Sequence, residues 1–244
     1  MRSGVRVIVV VPAWNEAPRV ARVVHGVPSW VDSILVVDDA STDGTTDAAR
    51  AAGDARVEVV RHSHNRGVGA AIATGYRRAL ASAGAPRDAF VVMAGDGQMD
   101  PYDLPALLEP IARGEADYVK GDRFARADTA RTMPRARHLG GRVLSWATAR
   151  AIGVPISDSQ CGYTAIARAA CARLDLDALW PRYGYPNDLL SQLSLRGLRI
   201  AEVPVRAIYA DEVSRLKARH VPVIAALVAR AGIARLAATR ARRR

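Results

Sequence analysis

Short apolar runs alternate with longer stretches in which apolar residues recur every three or four positions, and this alternation dominates the first half of the chain. The β-branched runs Val5–Val11, Ser33–Asp38, Val57–Arg61, Ala89–Ala94 and Asp117–Lys120 predict parallel strands covered on both faces. A strand with one wet face would alternate apolar and polar residues instead. Between the third and fourth runs, Ile72, Gly75, Tyr76, Ala79, Leu80 and Ala83 fall at helical spacing, with Gly84 as the stop. After the fourth, Asp100-Pro101 is an N-cap followed by proline at the first helical position, and Leu104, Leu107, Leu108 and Ile111 share one face. This rhythm predicts an α/β fold, a doubly wound, mostly parallel sheet with helices on both faces. Ligands are expected at the carboxyl ends of its strands.

From about residue 123 the pattern changes. Arg123, Arg126, Arg131, Arg135, Arg137, Arg142 and Arg150 face only Asp128 as an acid, and segments such as Leu189–Leu195 and Arg199–Val205 add further helix and strand. This half continues the same domain. The 244 residues suffice for one large domain, with half of them hydrophobic and about a quarter charged. The net charge of +11 changes the picture once it is mapped: residues 215–244 carry nine Lys/Arg and no Asp/Glu, leaving 26 basic against 24 acidic side chains in 1–214. A main domain over 1–214 and a basic helical tail over 215–244 follow. A nearly neutral body with a basic tail argues for a polyanionic surface as partner and against a nucleic-acid-binding fold. Cys161 and Cys171 have no metal-ligand or disulfide spacing, so a reducing, cytoplasmic setting is expected. The first apolar run is too short for a signal peptide, and no apolar run approaches the ~20 residues of a membrane span.

The chemistry gathers at four strand ends: Pro12-Ala13-Trp14-Asn15-Glu16, Val37-Asp38-Asp39-Ala40-Ser41-Thr42-Asp43-Gly44, Asn65-Arg66-Gly67-Val68-Gly69, and Gly95-Asp96-Gly97-Gln98. Each alone also fits an ordinary turn or helix cap. In a parallel sheet all four project over one edge and meet around one ligand. One ligand that such a set would suit is a nucleoside diphosphate with its base. Its departure would leave strong negative charge, which a hard divalent cation answers with one or two protein carboxylates plus phosphate and water. Asp96 and the amide oxygen of Gln98, two apart on an extended segment, suit such a cation. Asp39 suits the base as a hydrogen-bond acceptor, with the face of Trp14 beside it.

These motifs, in this order, resemble those of family-2 glycosyltransferases with a GT-A fold, above all the branch of dolichyl-phosphate mannose synthases and related polyprenyl-phosphate glycosyltransferases. The likeness runs on through Gly121-Asp122-Arg123-Phe124 and Asp158-Ser159-Gln160-Cys161-Gly162-Tyr163 to Val203-Pro204-Val205. It implies that Pro12, Ala13, Trp14, Glu16, Val37, Asp39, Gly67, Gly95 and Asp96 hold the nucleotide sugar and that Arg123 reaches its phosphate. It also implies that Asp96 and Gln98 bind Mg²⁺ or Mn²⁺. In one departure, Ala94 stands where the family's metal motif starts with an aspartate. Asp158 and Asp188 are candidates for a catalytic base or for positioning the acceptor, with helix capping as the alternative for each. An ionised lipid-phosphate acceptor needs no strong base, and the arginines between 123 and 150 would hold it. His25, His62, His64, His138 and His220 form no metal or triad set and read as surface or packing residues.

The function expected is transfer of a sugar from a UDP- or GDP-sugar to an acceptor, a polyprenyl phosphate, by metal-assisted inverting displacement. The enzyme would sit at the inner face of a membrane through peripheral contact of its tail. There Arg230, Arg235 and Arg240 would snorkel to headgroups. A sugar-1-phosphate nucleotidyltransferase would carry a glycine-rich basic loop after the first strand, where Pro12 to Glu16 stand instead. A degenerate binding protein is the alternative that Ala94 raises.

Overall fold

The computed structural model describes residues 4–126, 133–208 and 220–241. Seven strands form one sheet: β1 Val7–Ala13, β2 Ser33–Asp38, β3 Val57–Arg61, β4 Ala89–Val92, β5 Tyr118–Asp122, β6 Thr164–Ala167 and β7 Ile200–Pro204. Their order is β3-β2-β1-β4-β6-β5-β7. β1 is buried at every position, and β2 at all but Ser33, as their unbroken apolar runs require. Each fully buried valine in them contributes about 1.5–3 kcal/mol by leaving water, so this pair anchors the core.

The helices are α1 Ala17–Gly26, α2 Thr45–Ala51, α3 Val68–Ala81, α4 Leu104–Ala112, α5 Arg135–Ile152, α6 Arg168–Cys171, α7 Tyr185–Leu195 and α8 Val221–Ala241. α3 lies so close to the sheet that a Cβ at Gly75 would collide with the side chain of Val10. Asp100 caps a short 3-10 turn, Pro101–Asp103, by accepting from the Tyr102 N–H at 3.0 Å. α4 follows with Leu104, Leu107, Leu108 and Ile111 buried.

β6 is the element the hydrophobic pattern does not announce. It runs antiparallel to both β4 and β5, whereas the other pairings in the sheet are parallel. Its first residue, Thr164, lies opposite Val92 and Lys120, near the carboxyl ends of β4 and β5. The loop entering β6, with Asp158 to Gly162, therefore arrives at the same edge as the loops leaving the parallel strands.

α8 corrects the expectation about apolar length. It has 21 residues, and an 18-residue window within it reaches a mean hydropathy of 1.7, long and apolar enough to cross a bilayer. Only 22% of that window is buried. Ile224, Leu227, Val228 and Ala231 face the domain, where α8 packs on α5 and α7. Two arginines expected to reach headgroups turn toward the protein instead. Arg230 pairs with Asp188 at 2.5 Å, and Arg235 donates to the Arg150 carbonyl in the last turn of α5 at 3.2 Å. Arg240 is exposed; Arg242 to Arg244 and the 214/215 boundary lie outside the described residues, as do Asp128 and Arg131.

Candidate active site

The loops leaving β1 and β2 are tied together. The Asn15 N–H donates to Ser41 Oγ at 2.9 Å, and Asn15 Oδ1 accepts from the Thr42 N–H at 2.8 Å. The Glu16 N–H reaches Thr45 Oγ1 at 2.9 Å, the Ala17 N–H reaches Asp43 Oδ2 at 3.1 Å, and the Asp39 N–H reaches the Ala13 carbonyl at 2.8 Å. Asn15 and Ala40 take left-handed backbone angles, φ 53° and 60°. The alanine's costs about 1–2 kcal/mol, and such strain collects at functional loops. Trp14 is 41% exposed beside them, while Glu16 is buried and pairs with Arg19 at 3.1 Å. Val37 is wholly buried opposite Pro12, so what it lends the site is the placement of the two aspartates that follow.

Asp39 is buried and turns its carboxylate onto its own neighbourhood. It accepts from the Arg66 N–H at 2.8 Å and the Gly67 N–H at 2.7 Å, and meets His62 Nδ1 at 2.7 Å. His62, set aside in the sequence as a surface or packing residue, thus braces Asp39, with its other ring nitrogen 2.9 Å from Thr74 Oγ1. Gly67, at φ 100°, seats the loop under Pro181 and Arg182, where a side chain would collide. The Ala70 N–H seals that contact by donating to the Pro181 carbonyl at 3.1 Å.

The segment after β4 is a turn and not the extended stretch expected. Gly97 has φ 77°, and Asp96 Oδ1 accepts the Gln98 N–H at 3.0 Å. The turn is fixed at both ends: the Gly95 N–H donates to the Pro12 carbonyl at 3.0 Å, and the Gln98 carbonyl accepts the Ile208 N–H at 2.9 Å. Gly95 approaches Ala13 so closely that an added Cβ would lie 3.1 Å from the alanine's own. Asp96 and Gln98 supply one carboxylate and one amide oxygen. Among the described residues no group of three or more His, Cys, Asp or Glu is placed to share an ion. Such a pair fits a hard divalent cation only when other oxygens complete its shell.

Arg123 and Asp158 meet each other. Nε and Nη2 of the guanidinium donate to Asp158 Oδ2 at 2.7 Å and Oδ1 at 3.0 Å. The Asp158 carboxylate also accepts the Gln160 and Cys161 N–H groups. Burial alone would raise its pKa, but the Arg123 hydrogen bonds and charge hold it below the ordinary carboxylate value. Lys120 on β5, completely buried, donates to the Cys161 carbonyl, and its burial pushes its pKa down. Glu202 on β7 accepts the Ser157 and Asp158 N–H groups at 2.7 and 3.0 Å. The Asp158–Gly162 loop is thus held by three charged side chains: Lys120 on β5, Arg123 just beyond it and Glu202 on β7. Asp188, buried at the start of α7, accepts from the Trp180 N–H at 2.8 Å and from Arg230. The structure brings the four strand-end motifs and the Asp158 loop to one edge, and turns Asp188 toward the tail helix. His62, Lys120 and Glu202 carried no motif, and only the placing of charged residues inside otherwise apolar strand patterns marked the last two.

The glycosyl transferase family 2 profile matches residues 8–174. The chain belongs to that family. This glycosyltransferase is 34% identical over 211 residues to the undecaprenyl-phosphate mannosyltransferase of Micrococcus luteus, covering 82% of each chain. It is 29% identical over 220 residues to the UDP-N-acetylglucosamine–dolichyl-phosphate N-acetylglucosaminyltransferase of Methanococcus voltae, covering 84% of this chain and 86% of the relative. Its fold is similar to the crystal structure of glucosyl-3-phosphoglycerate synthase from Mycobacterium tuberculosis in complex with Mn²⁺, UDP and phosphoglyceric acid. That match has a TM-score of 0.70 and 25% identity, and covers 95% of this chain and 80% of the other. The glycosyltransferase is therefore a GT-A-like enzyme with its strand-end motifs at the carboxyl edge of the sheet.

Proposed function

We propose that this glycosyltransferase moves a sugar from a UDP- or GDP-sugar to a polyprenyl phosphate at the cytoplasmic face of a membrane, by one inverting displacement. The observation that carries the acceptor reading is that both carboxylates suited to be bases are engaged. Asp158 is locked to Arg123 with a lowered pKa, which makes it a poor proton acceptor, and Asp188 is tied to Arg230. An acceptor that brings its own negative charge needs neither. A phosphate monoester, with its second pKa near ~6, is such an acceptor at neutral pH. Its oxygen attacks the anomeric carbon, the bond from that carbon to the diphosphate breaks, and the nucleoside diphosphate leaves with the electron pair.

In this reading Trp14 and the Asp39 loop receive the base, and Asp96 and Gln98 would hold Mg²⁺ or Mn²⁺. A divalent ion there supplies positive charge to the departing diphosphate. Arg123 is a positioning residue that fixes the Asp158–Gly162 loop, and its distance from the donor phosphate is set by that loop. Of the arginines between 123 and 150, Arg142 and Arg150 on α5 are exposed and would meet the acceptor's phosphate. The names of the relatives, which act on undecaprenyl and dolichyl phosphate, support the acceptor class.

Membrane contact is supported by the faces of two helices. α5 buries Ser145 and Thr148 while exposing Leu139, Val143 and Trp146, which share its opposite face. α8 leaves Ile233 and Leu236 exposed. Apolar residues outside and polar ones inside suit a helix whose outer side meets lipid. The test is transfer of labelled sugar from UDP- and GDP-sugars to undecaprenyl phosphate in anionic vesicles, beside neutral polyprenol and soluble phosphoglycerate. Product is expected with the lipid phosphate alone. Transfer to phosphoglycerate but not to the lipid phosphate would overturn the acceptor assignment.

A further inference from the structure

Ala94 removes a carboxylate from the metal motif, and among the described residues no cluster of three or more potential ligands makes up for it. The nearest acids along the chain have other partners. Asp100 caps Tyr102 and pairs with Arg206 at 3.4 Å, and Asp103 accepts the Arg206 N–H at 2.6 Å. The side-chain atom that meets the Ala94 backbone is a thioether: the Ala94 N–H donates to Met99 Sδ, 3.2 Å away. Sulfur of that kind is a soft donor, poorly suited to Mg²⁺ or Mn²⁺. The protein therefore offers a hard ion one anionic ligand and one neutral one, while such an ion takes about six oxygens. A nucleoside diphosphate brings the missing anionic oxygens.

We propose that this glycosyltransferase does not hold a divalent ion by itself and takes one up only together with the donor's diphosphate. The proposal rests on the nucleotide-sugar reading of the site. Metal and nucleotide then bind as a unit and leave as a unit, and the protein is metal-free between turnovers. Linkage makes the dependence mutual: the factor by which nucleotide strengthens metal binding equals the factor by which metal strengthens nucleotide binding. Ala94 is partly exposed, so a carboxylate built there has access to the site, and the missing affinity is restorable at that one position.

Equilibrium dialysis of the full chain against Mn²⁺, alone and with UDP or GDP, tests this directly. Without nucleotide the chain should retain no more Mn²⁺ than an albumin control. With the nucleotide that binds, it should retain one ion per nucleotide. Ala94→Asp should retain Mn²⁺ without nucleotide, about tenfold or more tighter than the parent chain, whereas the isosteric, uncharged Ala94→Asn should not. Retention of Mn²⁺ by the parent chain regardless of nucleotide would overturn the proposal and leave the donor site intact. So would nucleotide retained equally well with and without Mn²⁺. Failure to retain UDP or GDP under any condition would instead strike the nucleotide reading on which the proposal stands. If Ala94→Asp does not fold, the comparison within the parent chain decides alone.

Discussion

Two aspartates carry much of the order at the sheet edge, and each makes a prediction. Asp158, with no side-chain exposure, balances Arg123, which is itself only 14% exposed. Replacing it by Asn leaves the guanidinium buried without its counter-charge, and the cost should be about 3 kcal/mol or more in urea unfolding at pH 7. The pH dependence has a definite sign. The folded-state pKa of Asp158 lies below its ordinary 3.8, so its stabilisation is complete above that value and disappears as pH falls through the lowered one. The gap between parent chain and Asp158→Asn should therefore narrow only below about pH 4; an equal gap at every pH would mean that Arg123 does not hold the charge. Arg123→Lys keeps charge but not the two-pronged geometry, so melting temperature and transfer should both fall. Asp39→Asn can no longer accept from three donors at once, and should loosen the Asn65–Gly69 loop by about 1–3 kcal/mol. Nucleotide-dependent thermal stabilisation is expected to vanish with it. Asp39, Asp96 and Asp158 all stood out in the sequence because each stands in one of the ordered polar motifs that interrupt the apolar pattern. What their side chains touch did not, since His62 lies far from Asp39 along the chain and Arg123 far from Asp158. Only folding sets those distances.

At the scale of elements, the continuous apolar strands were legible nearly residue by residue, because burial on both faces leaves a run without interruption. β2 and β3 have the predicted bounds, and β1 is displaced by two residues. β6 was hidden because four residues of Thr-Ala-Ile-Ala carry no period, and its direction depends on partners distant in sequence. α5 was hidden for a different reason: its pattern is inverted. Ser145 and Thr148 face inward, where Ser145 Oγ accepts the Ser159 N–H at 2.8 Å and Thr148 Oγ1 donates to Asn187 Oδ1 at 2.9 Å. The outward residues are therefore replaceable in water. Leu139→Glu with Trp146→Glu should change stability by no more than about 0.5 kcal/mol and abolish sedimentation with anionic vesicles. These substitutions probe the membrane more cleanly than removal of α8, which would uncover Gly184 and deprive Asp188 of Arg230. Unchanged sedimentation of the double variant would exclude α5 from the contact.

Across the whole molecule, β6 joins the two halves of the chain. β4 pairs with β1 on one side and with β6 on the other, so the middle of the sheet is complete only when residues 164–167 arrive. Pairings of such long sequence separation slow folding, because loop closure is costly before any contact compensates for it. During synthesis, a chain released only as far as Asp122 has Ala89-Phe90-Val91-Val92 ready with no neighbour on that side. An apolar strand edge of this kind recruits other chains. A fragment of residues 1–122 should therefore aggregate from dilute solution, even though it carries all four of the strand-end motifs. Addition of a second fragment spanning 123–244 during refolding should rescue solubility, and light scattering of the two mixtures would measure it. The strand that carries the Asp158 loop to the site is also the strand that makes the nascent enzyme dependent on protection until its second half has emerged.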